Sequence, residues 1–325
     1  MLNWSRQLTA CFFLCFLCAL PVSAEQRQDD RMAYYQKWER ATQLPWYYLA
    51  AVDQYERNIQ EVRNDLPDRD GIIRIHFSRS FWAGRLNPIK KTTTPAVISF
   101  FGGRGLDGNN DGKADPDNPD DLLYTMAQVL TKNGYRESDI KKSLKNYYEK
   151  EASVKQIMTI AALYRHFDTI ELDGHAFPLP LGHNYSYRST WGDKRGWGGR
   201  RMHEGTDLFA SYGVPVRATT YGIIEIKGWN EYGGWRVGIR DVHNVYHYFA
   251  HLSGFEKGVE EGMIVKPGTV VGYVGSSGYG KAGTSGKFPP HLHYGMYKYN
   301  GRMEWAFDPY PSLSHWEQAE RAEKK

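Results

Sequence analysis

Apolar positions recur at helical spacing in the first half of the chain and alternate with polar positions in the second. Residues 46–58 set Trp46, Leu49, Ala50 and Asp53 along one side of a helix, with Val52 close by. Pro119, Asp120 and Asp121 open a second helix running through Leu130, with two acids at the positive end of its dipole and Gly134 as its stop. Ser138 and Ser153 are good caps for helices running through Leu144 and Tyr164. Strands are predicted over 221–227, 235–240, 245–251, 269–274 and 291–297, punctuated by Gly228, Gly233, Gly234, Gly275 and Gly278. Alternating runs between glycine turns predict an antiparallel sheet of hairpins. Pro178-Leu-Pro180 marks the change of texture. The pattern therefore predicts an α+β chain, with a helical domain over 31–168, an all-β domain over 177–311 and a charged tail over 312–325. That tail reads as a solvated terminal helix or a frayed end.

Composition narrows the class. At 325 residues the chain has room for two domains, and its 41% hydrophobic content is that of core-forming material. The formal charge of +4 allows attraction to anionic walls without pointing to nucleic acid, and no basic block is present. Residues 1–24 read as a secretory leader, with Arg6 ahead of an apolar run and Val22-Ser-Ala24 as the cleavage site. All three cysteines (Cys11, Cys15 and Cys18) fall inside it, so the exported chain is expected to carry no thiol. Beyond the leader no stretch is long or apolar enough to cross a membrane.

The chemistry concentrates in two segments. His203-Glu-Gly-Thr-Asp207 and His291-Leu-His293 offer imidazoles and a carboxylate at spacings that can converge on one zinc ion. Zinc takes His nitrogen and Asp oxygen, and a catalytic site keeps three protein ligands and one open position. On a strand, His291 and His293 share a face, and Pro289 and Pro290 suit the strand's start. Alternation in 245–251 puts His247, Phe249 and His251 on one face, so that the His251 ring can point with the active side. Asp207 is placed at the first residue of its strand. His76, His166, His175, His243, His247 and His315 read as hydrogen-bonded core histidines, and Glu204 as a solvent-facing turn residue. The loops 228–234 and 275–287 are expected to wall a groove lined by Trp191, Trp197, Trp229, Tyr232 and Trp235. Arg195, Arg200 and Arg201 lie close in sequence to the zinc segments, where a guanidinium fork can pair with a substrate carboxylate.

These segments carry a family resemblance. Ser189-Thr-Trp-Gly-Asp-Lys-Arg195, His203-Glu-Gly-Thr-Asp207, Ala250-His-Leu-Ser253, Val265-Lys-Pro-Gly-Thr-Val-Val-Gly-Tyr-Val-Gly275 and His291-Leu-His293 resemble, in order, the lysostaphin-type M23 zinc peptidases that cut peptidoglycan peptides. The resemblance implies Zn2+ held by His203, Asp207 and His293, with His291 and His251 as unliganded catalytic histidines. Zinc held by two neutral imidazoles and one carboxylate stays positive and lowers the pKa of a coordinated water toward about 7. A histidine, with an ordinary pKa of about 6.5, suits the transfer of that water's proton to the departing amine. Whether His291 or His251 does so is left open by the sequence.

The helical half resembles lysozyme-like transglycosylase domains through Leu44-Pro-Trp-Tyr-Tyr-Leu-Ala-Ala-Val-Asp-Gln-Tyr-Glu56, where Glu56 matches the family's catalytic acid. The family's Gly-Pro-Met-Gln-Phe signature is missing, so the domain reads as degenerate. Asp107-Gly-Asn-Asn-Asp-Gly-Lys-Ala-Asp115 has the alternating oxygens of a Ca2+ loop, although position twelve is Asn118 rather than glutamate. A turn held by Asx hydrogen bonds is the alternative. The whole arrangement resembles the exported L-Ala–D-Glu endopeptidases of sporulating bacilli. It implies peptidoglycan as partner and the cell wall or spore cortex as location. Cleavage of another cross-link or of a glycine bridge, or a non-catalytic wall-binding or activator role, are the rival expectations.

Overall fold

The computed structural model describes residues 24–66, 70–89, 91–195 and 201–324. Apart from Ala24, the leader lies outside the described residues, as do Trp197 and Arg200. Seven helices come first: α1 (Ala24–Thr42), α2 (Trp46–Val62), α3 (Arg79–Ala83), α4 (Pro95–Phe100), α5 (Pro119–Thr131), α6 (Glu137–Tyr148) and α7 (Glu151–Phe167). The strands are β1 (Tyr185–Tyr187), β2 (Lys194–Arg195), β3 (Arg201–Met202), β4 (Thr206–Ala210), β5 (Pro215–Arg217) and β6 (Gly222–Asn230). They continue as β7 (Gly234–Arg240), β8 (Val245–Phe255), β9 (Ile264–Val265), β10 (Val270–Val274), β11 (His291–Tyr299) and β12 (Glu304–Phe307), before α8 (Tyr310–Glu323). The chain is thus helical and then antiparallel β, as the periodicity predicts.

Local chemistry explains most of the starts. Pro119 at the head of α5 gives up a backbone donor that the first turn does not need, and Asn118 caps Asp120 at 2.9 Å. Two expected caps are corrected. Helix α6 begins at Glu137, with Ser138 inside it, and the Asp139 carboxylate accepts from the Arg136 backbone amide. Helix α7 begins at Glu151, and buried Ser153 instead accepts the Tyr55 hydroxyl at 2.7 Å. In the 107–115 loop, Asp107 accepts from the backbone of Asp111 and Gly112. Buried Asp121 accepts from Gly108 and Asp115, both at 2.7 Å.

Helices α2 and α7 form the centre of the first core, through Leu49, Val52, Ile157 and Ile160. The sheet runs β1-β4-β11-β8-β7-β6-β9, with β12 beside β11 and β10 paired with both β5 and β8. Its core face carries Leu208, Val237, Phe249 and Leu292. The 312–325 segment, read as a charged tail, is corrected: α8 buries Leu313 and Trp316 against that core, while Glu317 and Glu320 pair with Tyr185, Tyr187 and Arg217. Leu313, Trp316, Glu317 and Glu320 fall at i, i+3, i+4 and i+7, so the docked face carries both the apolar anchors and the two paired acids. The helical and β regions also meet. Asn58 donates to the Val242 carbonyl at 2.8 Å, Phe167 packs edge-on to Tyr221, and Val242 is buried in the helical core. Among the described residues no helix is long and apolar enough to cross a membrane.

Candidate metal and catalytic centre

Strands β4 and β11 lie side by side with Asp207 opposite His293, and the turn before β4 brings His203 against them. Asp207 is the second residue of its strand rather than the first. His203 Nε2 lies 2.9 Å from His293 Nδ1 and 3.1 Å from Asp207 Oδ1, and His293 Nδ1 lies 3.0 Å from the same oxygen. Tetrahedral ligands at ordinary zinc bond lengths stand about 3.3 Å apart, so the spacing suits such an ion. No other trio of His, Cys, Asp or Glu among the described residues gathers its donor atoms this way. Gly205 makes the approach possible, because a Cβ there would sit 2.5 Å from the His293 ring.

Three main-chain carbonyls decide where the ring protons are. His203 Nδ1 lies 2.7 Å from the Thr190 carbonyl, His251 Nδ1 2.8 Å from that of Ser277, and His291 Nδ1 2.8 Å from that of Pro289. A carbonyl only accepts, so each Nδ1 carries the proton and each Nε2 presents a lone pair. His203 Nε2 and the Asp207 carboxylate therefore turn electron pairs toward each other, an arrangement that a cation between them stabilises. Burial acts to raise the Asp207 pKa, but the His203 and His293 rings beside it hold it well below the usual carboxylate range. Burial pushes the His251 imidazole down to about 3, with the His293 and His291 rings acting in the same direction. Burial also lowers His293, against the pull of Asp207. The His251 and His293 rings are therefore held toward the neutral form, the state that binds metals and accepts protons.

His251 corrects the strand arithmetic. Tyr294 lies opposite Phe249, and Met296 opposite His247, so Phe249 and His247 face the core, away from His293. Strict alternation would send His251 there too. Instead β8 carries an extra residue against β7 between the pairs Trp235–Leu252 and Val237–Phe249, and His251 adopts φ +63°. A left-handed conformation costs a non-glycine residue roughly 1–2 kcal/mol. The kink carries the ring to within 4.8 Å of His291, centroid to centroid, with Phe288 packed against both. His247 is fully buried between Asp241 and Tyr294.

The other histidines expected in the core mostly lie outside it: His166, His175 and His315 are exposed, and His76 and His243 are at most half-buried. Glu204 faces solvent. A groove of about 460 Å³ runs from the cluster over Tyr232, Tyr248 and Tyr297. Of the aromatic residues expected there Tyr232 takes part, whereas Trp191 does not line it and Trp229 and Trp235 pack edge-on against each other. Arg201 lines it too. The sequence reading gave no role to Thr190, whose hydroxyl also accepts the Asp207 amide at 3.1 Å, nor to Phe288, Tyr248 or Arg236. The period-two pattern of β7 and β8 was the available signal for the last two.

The chain is similar to several known proteins. A model of peptidase family M23 matches residues 201–309. The L-Ala–D-Glu endopeptidase of Bacillus subtilis (strain 168) is 54% identical over 322 residues, covering 98% of this chain and 99% of that protein. Lysostaphin of Staphylococcus simulans is 36% identical over 114 residues, covering 34% of this chain and 21% of its own length. Among solved structures, the catalytic domain of lysostaphin from Staphylococcus simulans matches 41% of this chain and 93% of its own at 31% identity, with a TM-score of 0.32.

Proposed function

Because this chain belongs to peptidase family M23, we propose that it is a zinc-dependent endopeptidase that hydrolyses the amide between L-alanine and D-glutamate in peptidoglycan stem peptides. The observation that carries the reading is the meeting of three ligand atoms about 3 Å apart with two further imidazoles whose lone pairs face the same space. The choice of bond is supported by a relative alike from end to end. In this reading His203, Asp207 and His293 hold Zn2+. When bound, the ion supplies a Lewis acid that polarises the scissile carbonyl and acidifies the attacking water.

The chain's own residues do the rest. Asp207 stays ionised and offers charge to balance the cation. His203 is fixed in one tautomer by Thr190, which holds its Nε2 on the ligand side. His251 and His291 serve as the proton-transfer pair. An unprotonated Nε2 accepts the proton of water as its oxygen bonds to the L-alanyl carbon. The resulting imidazolium returns that proton to the amine of D-glutamate as the C–N bond breaks. Phe288 shields the pair from bulk solvent. Export through the 1–24 leader, and action in the wall or spore cortex, belong to the same proposal.

The test is mass spectrometry of muropeptides digested by the zinc-loaded protein. Products with new N-terminal D-glutamate are expected. New N-terminal glycine, or scission at a D-alanyl cross-link, would replace the bond assignment, and no hydrolysis at all would favour a wall-binding role.

A further inference from the structure

The groove holds two cations whose pairing differs from that of their neighbours. On the face that carries His293, the next strands contribute Tyr248 from β8 and Arg236 from β7. The Tyr248 ring stands edge-on to His293 at 6.0 Å, and the charge of the Arg236 guanidinium acts on the Tyr248 hydroxyl from the same face. Arg201, two residues before His203, lies over the Tyr232 ring at 4.6 Å on the groove's rim. Farther along β7, Arg240 is fully matched, with Glu225 at 3.3 Å and Glu304 at 2.8 Å. Among the described residues no ion pair joins Arg236 or Arg201 to a carboxylate. Arg236 is half-buried, and its buried Nε has no hydrogen-bond partner. Of the acids lining the groove, Asp207 belongs to the ligand cluster, Glu304 is taken by Arg240 and Glu204 is exposed to water.

A half-buried guanidinium with unspent donors is costly unless an anion arrives to meet it. Its planar fork matches a carboxylate. The stem peptide has one in the right place: D-glutamate is joined onward through its side-chain carboxyl, so its α-carboxylate is free. It belongs to the same residue whose nitrogen leaves when the L-alanyl bond is cut. We propose that Arg236, assisted by Arg201 at the rim, binds this α-carboxylate and makes the enzyme selective for acidic over amidated stem peptides. The proposal rests on the bond assignment made above and adds a specificity determinant to it.

The experiment compares two synthetic muropeptides that differ only in carrying D-glutamate or its α-amide, D-isoglutamine. The zinc-loaded full chain is expected to favour the acid by about 10- to 100-fold in kcat/KM, the range of a charge-assisted bidentate contact. In Arg236→Met the acid-to-amide ratio should fall toward one. Arg236→Lys, which keeps the charge without the fork and guards against a folding defect in the first variant, should give an intermediate ratio. Arg201→Met should lower the ratio less. A general loss of packing or metal would reduce both substrates together and leave the ratio alone. A wild-type ratio near one overturns the proposal, as does a wild-type ratio retained in either Arg236 variant. If the wild type cuts neither peptide after L-alanine, the bond assignment itself fails, an outcome readable before any variant is made.

Discussion

Asp53 in α2 and Asp207 in β4 are both buried, and both sit below the usual carboxylate range although burial alone would raise them. Around Asp53 the compensation is complete. Arg57 and Arg31 pair with it at 2.9 and 3.3 Å, the Tyr35 hydroxyl donates at 2.6 Å, and the Arg74 backbone amide donates as well. Around Asp207 the neighbours are imidazoles, and the one ring nitrogen of His203 that carries a proton gives it to a backbone carbonyl. The two sites teach that a depressed carboxylate pKa does not by itself separate structure from chemistry. What separates them is whether donors fill the site. Asp53 is saturated by permanent cations and clamps α1, α2 and the 70–75 segment. Asp207 is left facing the lone pair of His203 Nε2, which only a cation or a transferred proton completes.

The sharpest way to break this contrast is to remove a ligand. His293→Ala should lower muropeptide hydrolysis by about 10⁴-fold or more, since a metal Lewis acid is worth several kcal/mol. Chelated wild-type protein should regain activity on adding Zn2+, whereas the variant should not. Metal analysis alongside circular dichroism checks that the fold survives. Asp53→Asn should instead cost about 3–5 kcal/mol of stability in chemical denaturation by taking the buried acid from two half-buried arginines. Next in size, His251→Ala or His291→Ala should lower kcat by about 10²–10³-fold with zinc content unchanged.

The pH dependence follows from the same pairing. Because the folded pKa of Asp53 is depressed, its stabilising contribution is fully present above the unfolded value of about 3.9. It is lost as pH falls through the folded value, so the melting temperature should drop steeply in acid below about pH 4. The same scan on Asp53→Asn should be flatter there. The smallest effect is expected at Glu56→Gln. Glu56 accepts the Tyr148 hydroxyl at 2.7 Å, a bond glutamine can also accept, and α2 runs on past it to Val62. No change in the turnover of glycan strands or peptides is predicted, by the same product analysis.

Much of this was legible in the sequence because the governing periods are local. The helix from Trp46, the opening of α5 at Pro119 and the five long strands follow from spacing and turn residues. Legibility stopped where one residue broke the period. His251 reaches the site through a bulge and a positive φ that alternation cannot anticipate, and the same alternation wrongly grouped it with His247. Ser138 and Ser153 have capping chemistry, but position in the packed helix decided against it. The charged end of the chain left a helix open but hid the docking of α8, because two buried residues, Leu313 and Trp316, suffice to dock it. Arg236 was overlooked because its meaning depends on the partners it lacks, which a linear string does not display.

The carbonyls of Thr190, Ser277 and Pro289 that orient the three rings belong to the polypeptide backbone. Point substitution cannot delete them. Pro289, exposed just before β11, is therefore a place where evolution or a mutant library can vary bulk, whereas buried Ser277 is held by its hydroxyl between the Trp235 amide and the Leu252 carbonyl. Such variation leaves the bookkeeping of protons intact as long as the chain keeps its path. The side chain at position 289 can thus drift while the proton on the His291 ring stays where it is.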